Sequence, residues 1–223
     1  VKAQLASLGV PRDAFDEVVT SGDVTRDAIT ALDGAPIQHI GPERDLTLFE
    51  GFANPLVGEE DAQAVVCTGL VDDENETPES YRPAFERMIA RGLTFICANP
   101  DIVVERGDKL VWCAGALARL YEDMGGKVTI VGKPHTPIYN LAIARAEAAA
   151  GAPLERSSIL AIGDGLPTDI RGAYANSLDV LFITGGIHGA DFGPAGAPEE
   201  DLVRKRLAEE GLRARAAIPE LRW

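Results

Sequence analysis

Short apolar runs alternate with longer amphipathic stretches along most of this chain of 223 residues. The apolar runs predict strands at Phe15–Thr20, Ile37–Ile40, Ala64–Cys67, Thr94–Ala98, Val128–Val131, Ser158–Ile162 and Val180–Ile183. The amphipathic stretches predict helices at Val24–Leu32, Glu79–Arg91, Val111–Met124, Pro137–Ala150, Thr168–Asn176 and Glu199–Glu210. Strands that alternate with helices are typical of parallel sheets joined by right-handed crossovers. The pattern therefore predicts an α/β protein built on a parallel sheet.

The loop after the strand Ser158–Ile162 carries two carboxylates. Asp164 follows Gly163 directly, and Asp169 comes after Pro167, which suits the first turn of a helix. Both aspartates should lie at the carboxyl end of a strand, where open α/β sheets bind ligands. Two converging carboxylates suit a hard cation such as Mg²⁺, so Asp164 and Asp169 are candidate metal ligands. The alternative is an ordinary strand-to-helix turn with a capping aspartate.

A lysine follows another predicted strand. Lys133 comes after Val128–Val131, and its position predicts that it lies beside the aspartate loop. A lysine ammonium is a compact point charge that suits a phosphate oxygen or a carboxylate. Alone, a lysine at a strand end is usually a solvated loop residue. Next to two carboxylates, it indicates a phosphoryl-transfer site, where fixed positive charge meets developing negative charge.

The sequences Val-Gly-Lys-Pro at 131–134 and Gly-Asp-Gly-Leu-Pro-Thr-Asp-Ile at 163–170 resemble motifs III and IV of the haloacid dehalogenase (HAD) superfamily. The chain is most similar to the class IIA, NagD-like phosphatases, which have a large C2-type cap. Weaker matches to that branch lie at 18–23, 97–101 and 183–186. The resemblance runs in order through most of the chain, from Leu5 to Gly189.

This resemblance implies a Rossmann-like parallel-sheet core with helices on both faces, and an α/β C2 cap domain inserted into it. Residues 1–34 and 127–223 would form the core, and residues 35–126 would form the cap. A cap of this kind closes over the phosphate site and excludes water. Asn99 and Asp101 lie in an Asn-Pro-Asp loop of the cap and would contact the substrate. The alternative for this loop is ordinary turn chemistry.

The resemblance also implies roles for the site residues. Lys133 would hold the nucleophile and the phosphate oxygens together despite their like charge. Asp164 would bind Mg²⁺ directly, and Asp169 would bind it or orient one of its waters. An aspartate nucleophile would form an aspartyl-phosphate intermediate that water then hydrolyses.

The chain departs from the family pattern at its beginning. The family's nucleophile lies in an N-terminal strand that ends in Asp-x-Asp, and neither Asp13 nor Asp16 follows a predicted strand. We therefore expect motifs I and II upstream of Val1, in about two strand–helix units of roughly 30 residues each. The alternative is a shortened relative that lacks the nucleophile and cannot catalyse the family's reaction.

Charge and composition limit the possible binding partners. The formal charge of −14 argues against binding to nucleic acid or to anionic membrane surfaces, because both require clustered Lys and Arg on the protein. No apolar run approaches the length of a membrane span. Cys67, Cys97 and Cys113 lack a metal-ligand spacing and are typical of reduced thiols in a cytoplasmic protein.

We therefore expect a cytoplasmic, Mg²⁺-dependent hydrolase that acts on a phosphomonoester. Its partner would be a small phosphorylated metabolite, such as a sugar phosphate or a nucleotide, and a homodimer is plausible. Two alternatives stay open. One is a catalytically incompetent relative that binds a phosphometabolite, and the other is a phosphotransferase of related fold.

Overall fold

The computed structural model describes residues 1–107, 109–194 and 196–222. The α-helices are α1 (Lys2–Ser7), α2 (Ser21–Thr30), α3 (Arg82–Ala90), α4 (Ala114–Asp123), α5 (Thr136–Ala150), α6 (Arg171–Ala175) and α7 (Glu200–Glu209). The strands are β1 (Ile37–Ile40), β2 (Ala64–Cys67), β3 (Thr94–Cys97), β4 (Val103–Arg106), β5 (Lys109–Trp112), β6 (Lys127–Ile130), β7 (Leu160–Gly163), β8 (Asp179–Ile183) and β9 (Ala216–Ile218). Most predicted elements are present, with shifted ends.

The chain divides into two compact units. One unit, Val19–Gly132, contains the sheet β1-β2-β3-β6 and is called the four-stranded unit. The other contains Val1–Val18 and the chain from Lys133 onward, with the sheet β7-β8-β9, and is called the three-stranded unit. The assignment of residues 35–126 as a cap and of the remainder as a core stays a prediction.

The four-stranded unit is built on an all-parallel sheet. β2 pairs with β1 on one side and with β3 on the other, and all four of its residues are buried. A strand covered on both faces needs a continuous apolar run, and Ala-Val-Val-Cys supplies one. β6 is an edge strand of this sheet and pairs with β3.

Aromatic rings fill the centre of this unit. Phe85 from α3, Phe95 from β3 and Tyr121 from α4 are all fully buried. Phe85 meets both other rings edge-on, with centroids 5.7 and 5.2 Å apart. The buried Tyr121 hydroxyl donates to the Leu93 carbonyl at 2.8 Å, which satisfies its polar group.

Two predictions differ from the structure. The helix predicted at Val111–Met124 is present but begins only at Ala114, because Val111 and Trp112 belong to strand β5 of a β4–β5 hairpin that was not predicted. The hairpin forms because β-branched and aromatic residues pair across it, for example Val103 with Trp112. The strand predicted at Phe15–Thr20 is irregular, because arginine side chains, not a neighbouring strand, bind its carbonyls.

The three-stranded unit is also parallel, and β8 is its central strand. Phe182 of β8 and Phe192 are fully buried and meet edge-on at 5.6 Å. The strand β9 was missed, because two alanines and one isoleucine after a charged helix give little apolar signal. β7 pairs with β8 on one side only, and Leu160 and Ile162 on β7 are about half exposed.

No helix in the described part of the chain is long and apolar enough to cross a membrane.

Candidate active site

The loop after β7 folds around the carboxylate of Asp169. Asp169 Oδ2 accepts hydrogen bonds from the backbone N–H groups of Asp164, at 3.3 Å, and of Gly165, at 3.1 Å. A Cβ at Gly163 would lie 2.4 Å from the Cβ of Asp169, so only glycine allows this approach. The predicted Gly-Asp-Gly loop therefore positions Asp169 at the carboxyl end of the strand.

The other oxygen of Asp169 holds the predicted lysine. Lys133 Nζ donates to Asp169 Oδ1 at 2.5 Å, and the two side chains are 50% and 17% exposed. Lys133 lies three residues before the first residue of α5, whose N-terminal end adds a partial positive charge. The structure thus brings together two of the three predicted catalytic and metal-binding residues through a direct ion pair.

The third residue, Asp164, is positioned by a different loop. Asp164 Oδ2 accepts a hydrogen bond from the backbone N–H of Ile187 at 3.0 Å. A Cβ at Gly186 would lie 2.1 Å from the same oxygen, so the loop after β8 lies directly against the carboxylate. Residues 183–186 were noted only as a weak family match, and the contact of this loop with Asp164 was not predicted.

Tyr139 is a second residue that the sequence analysis missed. Its hydroxyl donates to the Asp169 carbonyl at 3.4 Å, and the ring packs against Gly172, where a Cβ would lie 2.1 Å from the hydroxyl oxygen. Burial, together with the negative charge of Asp169, raises the pKa of Tyr139 to about 12. Tyr139 therefore stays a neutral hydrogen-bond donor that supports the aspartate loop from α5.

The predicted substrate-binding residues lie in the four-stranded unit. Asn99 Oδ1 accepts a hydrogen bond from the backbone N–H of Asp101 at 3.1 Å, which is an Asx turn. The Cys97 thiol donates to the Asn99 carbonyl, and Gly115 allows close approach of the Pro100 carbonyl. Local turn chemistry therefore accounts for the shape of this loop. The contact of Asn99 and Asp101 with a substrate stays a prediction.

The aspartate pair has the donor chemistry that Mg²⁺ requires. Within the described residues, no hydrogen bond reaches Asp164 Oδ1, and this leaves one carboxylate oxygen available for a cation. Both oxygens of Asp169 are already bonded, so this residue suits the orientation of a water better than direct binding. No group of three or more His, Cys, Asp or Glu that could hold a metal occurs among the described residues. The pair therefore fits an ion that keeps several waters.

Known proteins resemble this chain in sequence and fold. A family model described as HAD-hydrolase-like matches residues 130–209, which include Lys133, Asp164 and Asp169. A hydrolase of the haloacid dehalogenase-like family from Brucella suis 1330 is 50% identical, with a TM-score of 0.77 over 99% of this chain and 78% of that one. No curated protein matches the chain.

Two phosphatase structures have a similar fold. A double mutant of the thermostable NPPase from Geobacillus stearothermophilus is 25% identical, with a TM-score of 0.66 over 88% of this chain and 74% of that one. A p-nitrophenyl phosphatase from Archaeoglobus fulgidus is 16% identical, with a TM-score of 0.67 over 96% and 77%.

The chain belongs to the haloacid dehalogenase-like family of hydrolases. The predicted family, the α/β fold class and the prediction of a hydrolase are confirmed.

Proposed function

We propose that the protein is a Mg²⁺-dependent phosphatase that hydrolyses a small phosphorylated metabolite. The observation that carries this proposal is the ion pair of Lys133 with Asp169, next to an Asp164 carboxylate that keeps one oxygen available. A cation-binding carboxylate and a fixed ammonium group on one loop cluster are what phosphoryl transfer requires. The names of the p-nitrophenyl phosphatases with a similar fold agree with it.

Each residue has a distinct task in this proposal. Asp164 would hold Mg²⁺, which supplies charge neutralisation at the phosphate when it is bound. Asp169 keeps the loop closed and fixes Lys133 at 2.5 Å. The half-exposed Lys133 places its remaining N–H donors toward phosphate oxygens and offsets the negative charge of the chain. An aspartyl-phosphate intermediate, as the family resemblance implies, would use an aspartate nucleophile from motif I.

The substrate is a small phosphomonoester in this proposal, such as a sugar phosphate or a nucleotide. A formal charge of −14 disfavours a polyanionic substrate such as nucleic acid, which needs a broad basic surface. A single phosphate group needs only local positive charge, and Lys133 with a bound cation provides it. The cytoplasmic location of the protein stays a prediction.

The test is phosphate release from a panel of sugar phosphates, nucleotides and p-nitrophenyl phosphate. The protein is used as its natural gene encodes it, with MgCl₂ or with EDTA. Asp164→Asn should abolish Mg²⁺-dependent turnover, and Lys133→Met should lower it by about 10²–10³-fold while the thermal midpoint changes little. Asp201→Asn and Lys205→Met, both exposed on α7, are matched controls that should keep full activity.

Other outcomes would contradict the proposal. Turnover that persists in EDTA, or in Asp164→Asn, would refute the metal assignment. A protein that binds phosphometabolites through Lys133 but never releases phosphate would be the incompetent relative. Transfer to an acceptor in preference to water would identify a phosphotransferase.

A further inference from the structure

The β4–β5 hairpin presents an apolar face to solvent. Leu110 is 70% exposed, and Trp112 and its cross-strand neighbour Val103 are each 39% exposed. Val111, which points to the opposite face, is buried. Large apolar side chains thus also occupy outer-face positions, where a hairpin in water normally carries polar ones.

The free edge of β5 carries unused backbone groups. Cys113 N–H donates to the Ile102 carbonyl, so this pair is hydrogen-bonded across the hairpin. Hydrogen-bonded and non-hydrogen-bonded pairs alternate in antiparallel strands, so Val111 bonds toward β4, whereas Leu110 and Trp112 direct their N–H and C=O groups away from it. No other strand in the described part of the chain pairs with this edge. The two residues with outward backbone groups are therefore the same two with exposed apolar side chains.

Charges do not protect the centre of this edge. Natural edge strands are usually protected by lysine, proline or a bulge, and Leu-Val-Trp at 110–112 contains none of these. The nearest positive charges are Arg106, paired with Asp73 at 2.7 Å, and Lys109, which is 3.9 Å from Glu74. Both lie at the turn end of the hairpin.

We propose that β5 pairs antiparallel with β5 of a second copy of this chain, around a two-fold axis at Val111. In this register Leu110 of one copy lies opposite Trp112 of the other, and the reverse pair forms by symmetry. Both residues of each pair have outward N–H and C=O groups, so each pair exchanges two hydrogen bonds. Both side chains lie on the same outer face, which gives two aliphatic–aromatic cross-strand contacts.

The register is also self-complementary in charge. The turn end of β5 carries Lys109, and the base of the hairpin carries Asp101; both residues are exposed. Antiparallel pairing brings the basic end of one copy beside the acidic end of the other. An isologous contact of this kind closes on itself and forms dimers, not fibres.

The small area limits the expected affinity. Stable interfaces bury about 1,200–2,000 Å² in total, and one strand edge with one hairpin face offers less. The dimer should therefore be weak, with a Kd on the order of 100 µM. This inference does not depend on the proposed phosphatase activity.

Sedimentation velocity from about 10 µM to 1 mM tests the proposal. The wild-type sedimentation coefficient should rise with concentration toward a dimer, and Leu110→Lys should stay monomeric throughout. Leu8→Lys is a matched control, because Leu8 is 72% exposed but lies in the other unit, and it should behave as wild type. A wild type that is monomeric at about 1 mM, or a Leu110→Lys variant that still dimerises, would overturn the proposal.

Amide hydrogen exchange tests the register. At high concentration the Leu110 and Trp112 amides should gain at least about tenfold protection, and Leu110→Lys should remove it. The Val111 amide already bonds within the hairpin and should be protected equally at low and high concentration. Concentration-dependent protection elsewhere, with none at Leu110 and Trp112, would mean that the copies meet through another surface and would refute this register.

Discussion

Replacing Gly186 with alanine should displace Asp164 without removing any functional group. The added Cβ would lie 2.1 Å from Asp164 Oδ2 and 2.4 Å from Asp164 Cβ. Rotation of the carboxylate relieves the first contact but not the second, because Cβ is fixed to the backbone. Carbon atoms pack at about 3.5–4.0 Å, so one of the two loops must move by about 1 Å.

The expected effect on activity is large, and that on stability is small. A displacement of about 1 Å at a reacting group can cost about 10²-fold in rate, equivalent to about 2.7 kcal/mol. Gly186 is exposed, so its loop can shift outward and the free energy of unfolding should fall by about 1 kcal/mol, the low end for overpacking. The substitution therefore separates the geometry of Asp164 from the stability of the fold.

Two assays test this prediction. One measures phosphate release, and the other is a Mg²⁺ titration in which the NMR signal of the Ile187 amide is followed. Gly186→Ala should lower kcat/KM about 10²-fold and weaken Mg²⁺ binding, with the Ile187 signal displaced even without Mg²⁺. Gly189→Ala, in the same loop, is the control, because its Cβ would meet only the Thr184 carbonyl at an ordinary 3.5 Å. Equal kinetics for the two variants would refute the argument that this loop positions Asp164.

Three further predictions concern the four-stranded unit. Phe85→Ala should lower the free energy of unfolding by about 3–5 kcal/mol in urea denaturation, because it leaves a cavity among fully buried rings; a loss below about 1 kcal/mol would contradict the packing. Hydrogen bonds from Arg106 and Arg44 hold the pKa of Asp73 well below its usual value, so its stabilising effect is present above about pH 4 and is lost as pH falls. The stability difference between wild type and Asp73→Asn should therefore shrink between about pH 5 and pH 2 in urea titrations, and a pH-independent difference would refute the ion-pair argument. Burial raises the pKa of Cys97 to about 12, so this thiol should react with a disulfide reagent only after unfolding, and rapid labelling of the native protein would contradict its burial.

The position of the two aspartates of the candidate site followed from local sequence. An apolar run that ends in Gly-Asp-Gly predicts a strand and a turn. The turn places Asp164 and Asp169 together at the carboxyl end of that strand. The long helix at Thr136–Ala150 was also predicted within one residue, because alanine-rich sequence favours helix regardless of its neighbours. These predictions succeeded because the interactions that decide them lie close together in the chain.

The elements that sequence missed depend on distant partners. β9 is a strand only because β8 lies beside it, and the hairpin β4–β5 replaces the start of a predicted helix because its two strands pair with each other. Phe15–Thr20 has strand-like residues but pairs with no strand among the described residues, so it stays irregular. Propensity is a weak preference that such pairing overrides.

The sequence alone determined the family resemblance, the α/β class and the identity of Lys133, Asp164 and Asp169. Only the tertiary structure decided how their atoms meet: that Lys133 bonds Asp169 and that Ile187 N–H holds Asp164. It also decided which apolar side chains stay in solvent on β5. The physical reason is that motifs record the chemistry a site needs, whereas hydrogen-bond partners and burial depend on segments that are distant in sequence and adjacent only after folding.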